Sequence, residues 1–414
     1  MKSFNNGKRV LAVLIIPLLL LGCALLPVTV GDSVRSVLEG EPETVTISRE
    51  EYERLSRYAE LDELLQLVEY EYYQEPDVDA MLEGAKSGLL FGLEDPYTFY
   101  YTPEAYAAMW EEDKGEYAGL GIQLLASYET YTCAISRVFS GTPAEAAGLH
   151  KGDVLVLVED LEVNAYNLQE AVDIMRGEVG RKVKIQVRRG NELLDFEIPR
   201  AIVHINRVSG LMLDQDIGYI ALYDFMSGSN AEFQAQLDTL LAMGATGLIL
   251  DLRDNPGGWV EDAQIIADIF LPECTIAYWE RRDGTREYYN ATAGEVDIPL
   301  VVLVNENSAS ASEILAGALQ DHQKATLVGT KTFGKGIVQH VATLQDVGNW
   351  GAGMQLTIAQ YFTPAGHAVH KVGIQPDVEV TLPEGSTMIQ YELGDLSDIQ
   401  LAKALEVVRG LGGE

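Results

Sequence analysis

Between Asp216 and His322 apolar strands and amphipathic helices take turns. "DIGYIAL", "ATGLILDLRD" and "IPLVVLVNE" read as strands, and "NAEFQAQLDTLLAMG", "VEDAQIIADIFL" and "SEILAGALQDH" as the helices that follow them. These strands are continuously apolar rather than alternating, so both of their faces need cover. That requirement restricts this half of the chain to a layered α/β arrangement, with helices on a buried sheet. "ATLVGTKTFGKGIVQHVATL" and "GAGMQLTIAQYFTPAG" add strands beyond it. With 47% hydrophobic residues among 414, the chain can enclose a large core, and its length suggests two or three domains.

The flanks read differently. Residues 47–113 carry apolar residues at helical spacing between acids, as in "SREEYERLSRYAELDELLQLVEYEYY" and "DVDAMLEGAKSGLLFGL", and are expected to be helical. Residues 116–200 hold short β-rich runs, "YAGLGIQLLAS", "TCAISRVF", "DVLVLVEDLEV" and "KVKIQVRRG". Helices "GTPAEAAGL" and "NLQEAVDIMRG" interrupt them, which suggests a compact module of about 85 residues.

The N-terminus bears on location. From Val10 to Val30 no residue is charged, about the roughly 20 residues a membrane-spanning helix needs. Lys2, Lys8 and Arg9 precede this run and Asp32, Glu39, Glu41 and Glu43 follow it, which places the rest of the chain outside the cytoplasm. The first reading is an uncleaved anchor. A lipoprotein signal ending at Cys23 ("LLGC") is the second, although "ALLPVTV" stays apolar after the cysteine; ordinary signal cleavage is the third. The formal net charge is −34, and −37 once the three basic residues are set aside, which argues against nucleic acid as a partner. Cys133 and Cys274 fall in different regions, so no disulfide framework is expected.

"NSASASEIL" offers three serines, Ser308, Ser310 and Ser312, at the junction of a buried strand and a helix. Ser310 and Glu313 have capping-box spacing, and a serine here is ordinarily a cap. The same junction is where α/β folds build sites, and the helix N-terminus offers N–H groups, such as that of Ala311, to a developing oxyanion. None of the six histidines has a Ser–His–Asp context, and His367 and His370 read as structural or surface residues. Neither HExxH nor CxxC occurs, so no metal is expected. A lysine with a lowered pKa can replace histidine as base. Lys335 in "TFGKGIVQ" is a candidate, with Gln339 on the same face of the following strand, although a lysine between two glycines also suits a surface turn. Gly257 and Gly258 in "LDLRDNPGG" can present N–H groups to an anion, or simply make a turn.

Taken in order, "LDLRDNPGG", "NSASASEILAGALQD", "VGTKTFGKGIVQ", "YFTPAG" and "GIQPDVEV" resemble the successive signatures of the C-terminal processing peptidases. "GLEDPYTFYYTPEAY" resembles the segment preceding the PDZ module of that family, with "DPYT" where "DPHS" is common. The resemblance covers roughly residues 50–410. It implies an α+β multidomain fold: a crotonase-like layered α/β serine protease core with an inserted PDZ domain and an N-terminal helical region. The implied boundaries are an anchor at 1–31, helices at 32–113, PDZ at 114–200, peptidase core at 201–380, and a segment at 381–414 packing on the core or at a dimer interface.

The resemblance further implies Ser310 as nucleophile, Lys335 as base and Gln339 beside it, with Glu313 in support. It implies an oxyanion hole from Ala311 and either Gly257 or Gly258. Gly119, Leu120, Gly121 and Ile122 match the PDZ carboxylate loop, and Arg176 matches an arginine that in some relatives couples PDZ to protease. The expected activity is endoproteolysis of proteins with free apolar C-termini by a Ser–Lys dyad, without cofactor. A homodimer is implied, and an activating or adaptor protein is left open. Two other classes share parts of the pattern. An inactive PDZ scaffold conflicts with intact Ser310, Lys335 and Gln339, and an acyl-CoA enzyme of crotonase-like fold lacks the PDZ insertion.

Overall fold

The computed structural model describes residues 46–412, apart from Gln215, residues 293–295, residues 346–350 and Thr387. The expected anchor therefore lies outside the described residues. The described residues divide into two compact units, one ending at Ala85 and the other beginning at Lys86. In the first, Ser48 caps α1 (Arg49–Ser56) by accepting from the Glu51 N–H at 3.1 Å. Helix α2 (Ala59–Glu71) follows, and α3 (Val78–Phe91) begins here. None of the three helices buries a residue, and Leu61, Leu64 and Leu67 of α2 are exposed.

The larger unit opens with strand β1 (Phe99–Tyr101) and helix α4 (Pro103–Asp113). The helical expectation for 47–113 thus fails at β1. Three consecutive aromatic residues favour an extended backbone, and the partner that pairs with them, residues 353–355, is far along the chain. Next comes the β-rich module. Strands β2 (Glu116–Gly119) and β9 (Ala201–His204) pair antiparallel at its two ends. Between them lie β3 (Ile122–Ser127), β4 (Thr132–Val138), β5 (Val154–Val158), β6 (Leu161–Glu162), β7 (Lys182–Arg189) and β8 (Glu192–Pro199), in sheet order β3-β4-β5-β7-β8 with β6 on β5. Helices α5 (Pro143–Ala147) and α6 (Leu168–Met175) complete it. Val183, Ile185 and Val187 of β7 point into its core while Lys182 and Lys184 face out, the period of a half-buried strand.

The main core is a six-stranded sheet of β10 (Val208–Met212), β11 (Ile217–Leu222), β12 (Gly247–Asp251), β15 (Leu300–Val304), β16 (Ala325–Gly329) and β19 (Val378–Glu379). All neighbours are parallel except β10 with β11. Every residue of β11, β12 and β15 is buried, and the periodicity explains why. Ile220, Leu222, Leu248, Leu250 and Val302 pack on one face with α7 (Ser229–Ala242), α8 (Val260–Phe270) and α9 (Ala311–Asp321). Ile249, Val301 and Leu303 pack on the other with Leu401, Ala404, Leu405 and Val408 of α10 (Ile399–Leu411). A second, antiparallel sheet orders β1-β18-β13-β14, with β17 (Ile337–Thr343) on β18 (Gly353–Phe362); β13 is Thr275–Arg281 and β14 Arg286–Asn290.

Candidate active site

Strand β15 ends at Val304, and the chain turns into α9 through Ser310. Ser310 has φ +56° and ψ −115°, a backbone that side-chain-bearing residues rarely adopt and that needs surrounding structure to impose it. The surroundings are explicit. The Ser308 hydroxyl donates to the Leu252 carbonyl at 2.7 Å and accepts from the Asn305 N–H at 2.9 Å. The Ser312 hydroxyl and the Ala309 N–H both donate to the Asn255 carbonyl at 3.0 Å. Ser308 and Ser312 are fully buried and so spoken for, which leaves Ser310 as the serine at the turn's apex.

Glu313 fixes that apex to the next loop. One carboxylate oxygen accepts from the Ser310 N–H at 3.0 Å and the Lys335 N–H at 2.8 Å. The other accepts from the Gly334 N–H at 2.8 Å and the Thr332 hydroxyl at 2.5 Å. Burial pushes the Glu313 carboxyl up, and these donors, Thr332 foremost, pull it back. The Tyr361 hydroxyl donates to the Ser310 carbonyl at 3.0 Å.

Lys335 leaves this loop just before β17. Gly336 permits the route, because a Cβ there would lie 2.1 Å from the His370 nitrogen. The lysine is half-buried, and burial pulls its amine down while Asp95 and Glu313 oppose the shift. Its Nζ lies over the Tyr97 ring, 4.8 Å from the centroid, and makes no hydrogen bond to Ser310 among the described residues. Gln339 donates to the Thr357 hydroxyl at 3.5 Å. The alternation that put Lys335 and Gln339 on one strand face does not hold as stated. Lys335 precedes the strand, and a bulge between Val338 and Gln339 breaks the period of two.

The two glycines of "NPGG" separate clearly. Gly257, at φ +97°, abuts the serine turn: a Cβ there would lie 2.8 Å from Ser310 Cβ and 2.9 Å from the Ala311 nitrogen. Gly258 instead backs onto Phe225. The Gly257 N–H donates to the Asn255 side chain at 2.9 Å, so it is occupied in this structure.

In the β-rich module, Gly119, Leu120 and Ile122 line a groove together with Leu168, Val172 and Met175. The Tyr117 ring covers Gly119, and its phenol oxygen faces the N–H groups of Gly121 and Ile122. Burial pushes that phenol up; Arg176 and the two N–H groups work against it. The Arg176 guanidinium lies 5.3 Å from the Tyr117 ring centroid. Other side chains reach the core. Arg137 lies 3.5 Å over the Tyr223 ring and donates to the Asn206 carbonyl at 2.6 Å, and the Lys151 amine donates to the Met388 and Tyr391 carbonyls at 2.7 and 2.8 Å. His367 pairs with Asp321 at 3.6 Å, and His370 keeps Nδ1 buried without a partner. No cluster fit for a metal occurs among the described residues.

A model of peptidase family S41 matches residues 216–380, and one of the PDZ domain matches residues 118–199. The carboxyl-terminal-processing protease of Synechocystis sp. is 40% identical over 330 residues, 78% of this chain and 75% of that protein. The chain belongs to the C-terminal processing peptidases of family S41. The carboxy-terminal processing protease CtpA of Bacillus subtilis is 34% identical over 332 residues, 80% of this peptidase and 70% of that protein. A solved photosystem II D1 C-terminal processing protease superposes with a TM-score of 0.53 at 28% identity, covering 89% of this chain and 98% of that one. The peptidase is therefore a serine-type enzyme with a PDZ domain on a multidomain α+β scaffold, the class its motifs implied.

Ser310, Ala311, Glu313, Lys335 and Gly257 come together at one turn. Sequence reasoning did not find Asn255, Thr332, Tyr361, Asp95 or Tyr97, which hold these groups. All five sit inside motifs quoted for the resemblance, yet their spacing alone carries no chemistry.

Proposed function

We propose that this peptidase is an exported, membrane-anchored endopeptidase that uses Ser310 and Lys335 as a dyad and selects protein substrates by their C-terminal tails. The observation that carries the dyad is the strained Ser310 at the head of α9, with Gly257 against it and a half-buried lysine on the adjoining loop. In the reaction, neutral Lys335 Nζ takes the proton of Ser310 Oγ, and Oγ bonds to the scissile carbonyl carbon. The oxyanion forms beside the Ala311 N–H, with the Gly257 N–H turning to it from Asn255. Collapse breaks the peptide bond, and the departing amine takes the proton from the Lys335 ammonium. Lys335 Nζ, neutral again, then takes a proton from water, whose oxygen bonds to the acyl carbon; the acyl–oxygen bond breaks and the Lys335 ammonium returns the proton to Ser310 Oγ.

Tail selection draws support from the Gly121 and Ile122 N–H groups, which already face an oxygen, that of Tyr117. A substrate carboxylate displaces the phenol while its backbone adds to the edge of β3. Residues 10–30 supply the anchor in this reading, with lipidation at Cys23 as its variant. Among the described residues no helix is long and apolar enough to cross a membrane. Exposed Leu61, Leu64 and Leu67 support a homodimer through the N-terminal helices.

The test is digestion of an unfolded protein by the purified enzyme and by its Ser310→Ala and Lys335→Ala forms. Cleavage by either variant, or inhibition by EDTA, refutes the dyad. Membrane fractions washed with alkaline carbonate should retain the full chain and release one lacking residues 1–31.

A further inference from the structure

The Lys335 amine has a definite resting place, and Ser310 is not its partner there. It lies on the face of Tyr97, the third residue of the Asp95–Thr98 turn. That turn is firmly built. The Asp95 carboxylate accepts from the Tyr97 N–H at 3.0 Å and from the Thr98 hydroxyl at 2.7 Å, and also bonds the Thr357 side chain. The Thr98 hydroxyl accepts from the Thr357 N–H, and the Tyr97 carbonyl from the Gln355 amide, both at 3.0 Å. Thr98 is buried, and the register of β1 on β18 continues the attachment. Thr357 also receives the Gln339 amide, so Gln339 and Asp95 meet at one hydroxyl.

The charges around Lys335 are few. Asp95 and Glu313 face it, His370 faces Asp95, and Lys371 faces His370. Glu313 already serves four donors, three of them backbone N–H groups. The electron-rich face of a phenol ring favours an ammonium over a neutral amine, and a carboxylate does the same.

We propose that the Asp95–Thr98 turn positions the base: the Tyr97 ring and the Asp95 carboxylate hold the Lys335 ammonium away from Ser310 until it loses its proton. The proposal rests on the Ser310–Lys335 reading. A charged lysine is retained on the ring, and a neutral one has little reason to stay, so deprotonation releases the amine toward the serine. Tyr97 and Asp95 thereby set the pH at which the dyad assembles. Both favour the charged form, so removing either lowers the lysine pKa and moves the acidic limb of the activity profile to lower pH.

The experiment compares the full-length enzyme with Tyr97→Leu, Tyr97→Phe and Asp95→Asn. The pH dependence of kcat/KM on an unfolded substrate is one readout. The other needs no activity: in the Ser310→Ala background, acetylation of Lys335 by acetic anhydride is followed against pH by peptide mass spectrometry. Tyr97→Leu and Asp95→Asn are expected to lower both midpoints by about half a pH unit. Tyr97→Phe keeps the ring and should keep both midpoints. Unchanged labelling midpoints in Tyr97→Leu and Asp95→Asn, with Lys335→Ala inactive, overturn the proposal alone. Cleavage by Lys335→Ala overturns the dyad reading and the proposal with it.

Discussion

At the scale of single residues, the three serines of one short run have separable fates. Ser310→Ala should abolish hydrolysis while leaving the fold, because its side chain is not part of the buried hydrogen-bond set that Ser308 and Ser312 form. Ser308→Ala and Ser312→Ala should keep far more activity; Ser308→Ala should lose about 1–3 kcal/mol of stability because it strands the buried Asn305 N–H, and Ser312→Ala about 0.5–1.5 kcal/mol because the Asn255 carbonyl keeps the Ala309 N–H. Activity assays beside urea titrations separate the two outcomes; a large loss of stability in Ser310→Ala alone would assign it a capping role. Lys335→Arg should be as inactive as Ser310→Ala, because guanidinium stays protonated and cannot accept the serine proton. Burial depresses the lysine, so the rate should rise with pH and reach its plateau below the range of an exposed lysine. A rate that falls through the alkaline range would contradict a lysine base. Tyr117→Phe removes the oxygen that faces the Gly121 and Ile122 N–H groups, and peptides with a free C-terminus should then bind several-fold tighter. Fluorescence anisotropy of a labelled tail peptide measures this, and unchanged binding would mean that the phenol does not compete for the loop.

At the scale of elements, the loop that carries Gly257 is anchored from beneath. Arg253 forks onto Asp251 at 2.5–3.1 Å and reaches Asp398 at 2.6 Å and Gln400 at 2.9 Å. Asp398 is also the N-cap of α10, so one guanidinium ties the end of β12 to the C-terminal helix. Both aspartates are buried, and the Tyr219 hydroxyl donates to Asp251 at 2.7 Å. Arg253→Met should cost about 3–5 kcal/mol, because two carboxylates lose their buried partner. Arg253→Lys should recover little, since one ammonium cannot reproduce the fork. Urea denaturation of the three proteins gives the comparison, and a loss below about 1 kcal/mol in Arg253→Met would show that solvent reaches the carboxylates.

At the scale of the whole molecule, the PDZ domain is an insertion with a closed base. Gly119 and Ala201 are opposed across the β2–β9 pair, so residues 120–200 can be replaced by a short Asn-Gly turn without cutting that ribbon. The shortened enzyme should cleave the free and amidated tails of one unfolded substrate at equal rates. The full-length enzyme should prefer the free apolar tail, lose rate on amidation, and discriminate against the acidic tail most at low salt, given a charge near −37 outside the anchor. Equal rates with the full-length enzyme would show that the domain does not read the terminus. Arg137 on Tyr223 and Lys151 on the Met388 and Tyr391 carbonyls are among the contacts that the shortened enzyme loses.

Much of the architecture was legible in the sequence because burial writes itself into local pattern. The uninterrupted apolar runs of β11, β12 and β15 required cover on both faces, and α7 to α10 provide it. The short β-rich runs of residues 116–200 marked strands, and glycine-punctuated motifs in fixed order pointed to Ser310, Lys335 and the "NPGG" loop. What the tertiary structure decided are relations between distant segments. Phe99–Tyr101 became a strand only because residues 353–355 offered it an edge, and Gly257 rather than Gly258 came to the serine because Phe225 takes the other. The bulge at Val338 undid a face assignment that was sound for a regular strand. The resting place of Lys335 on Tyr97 joins residues 238 positions apart. Local pattern reports whether a side chain meets water or core; the three-dimensional fold alone determines which other side chain it meets.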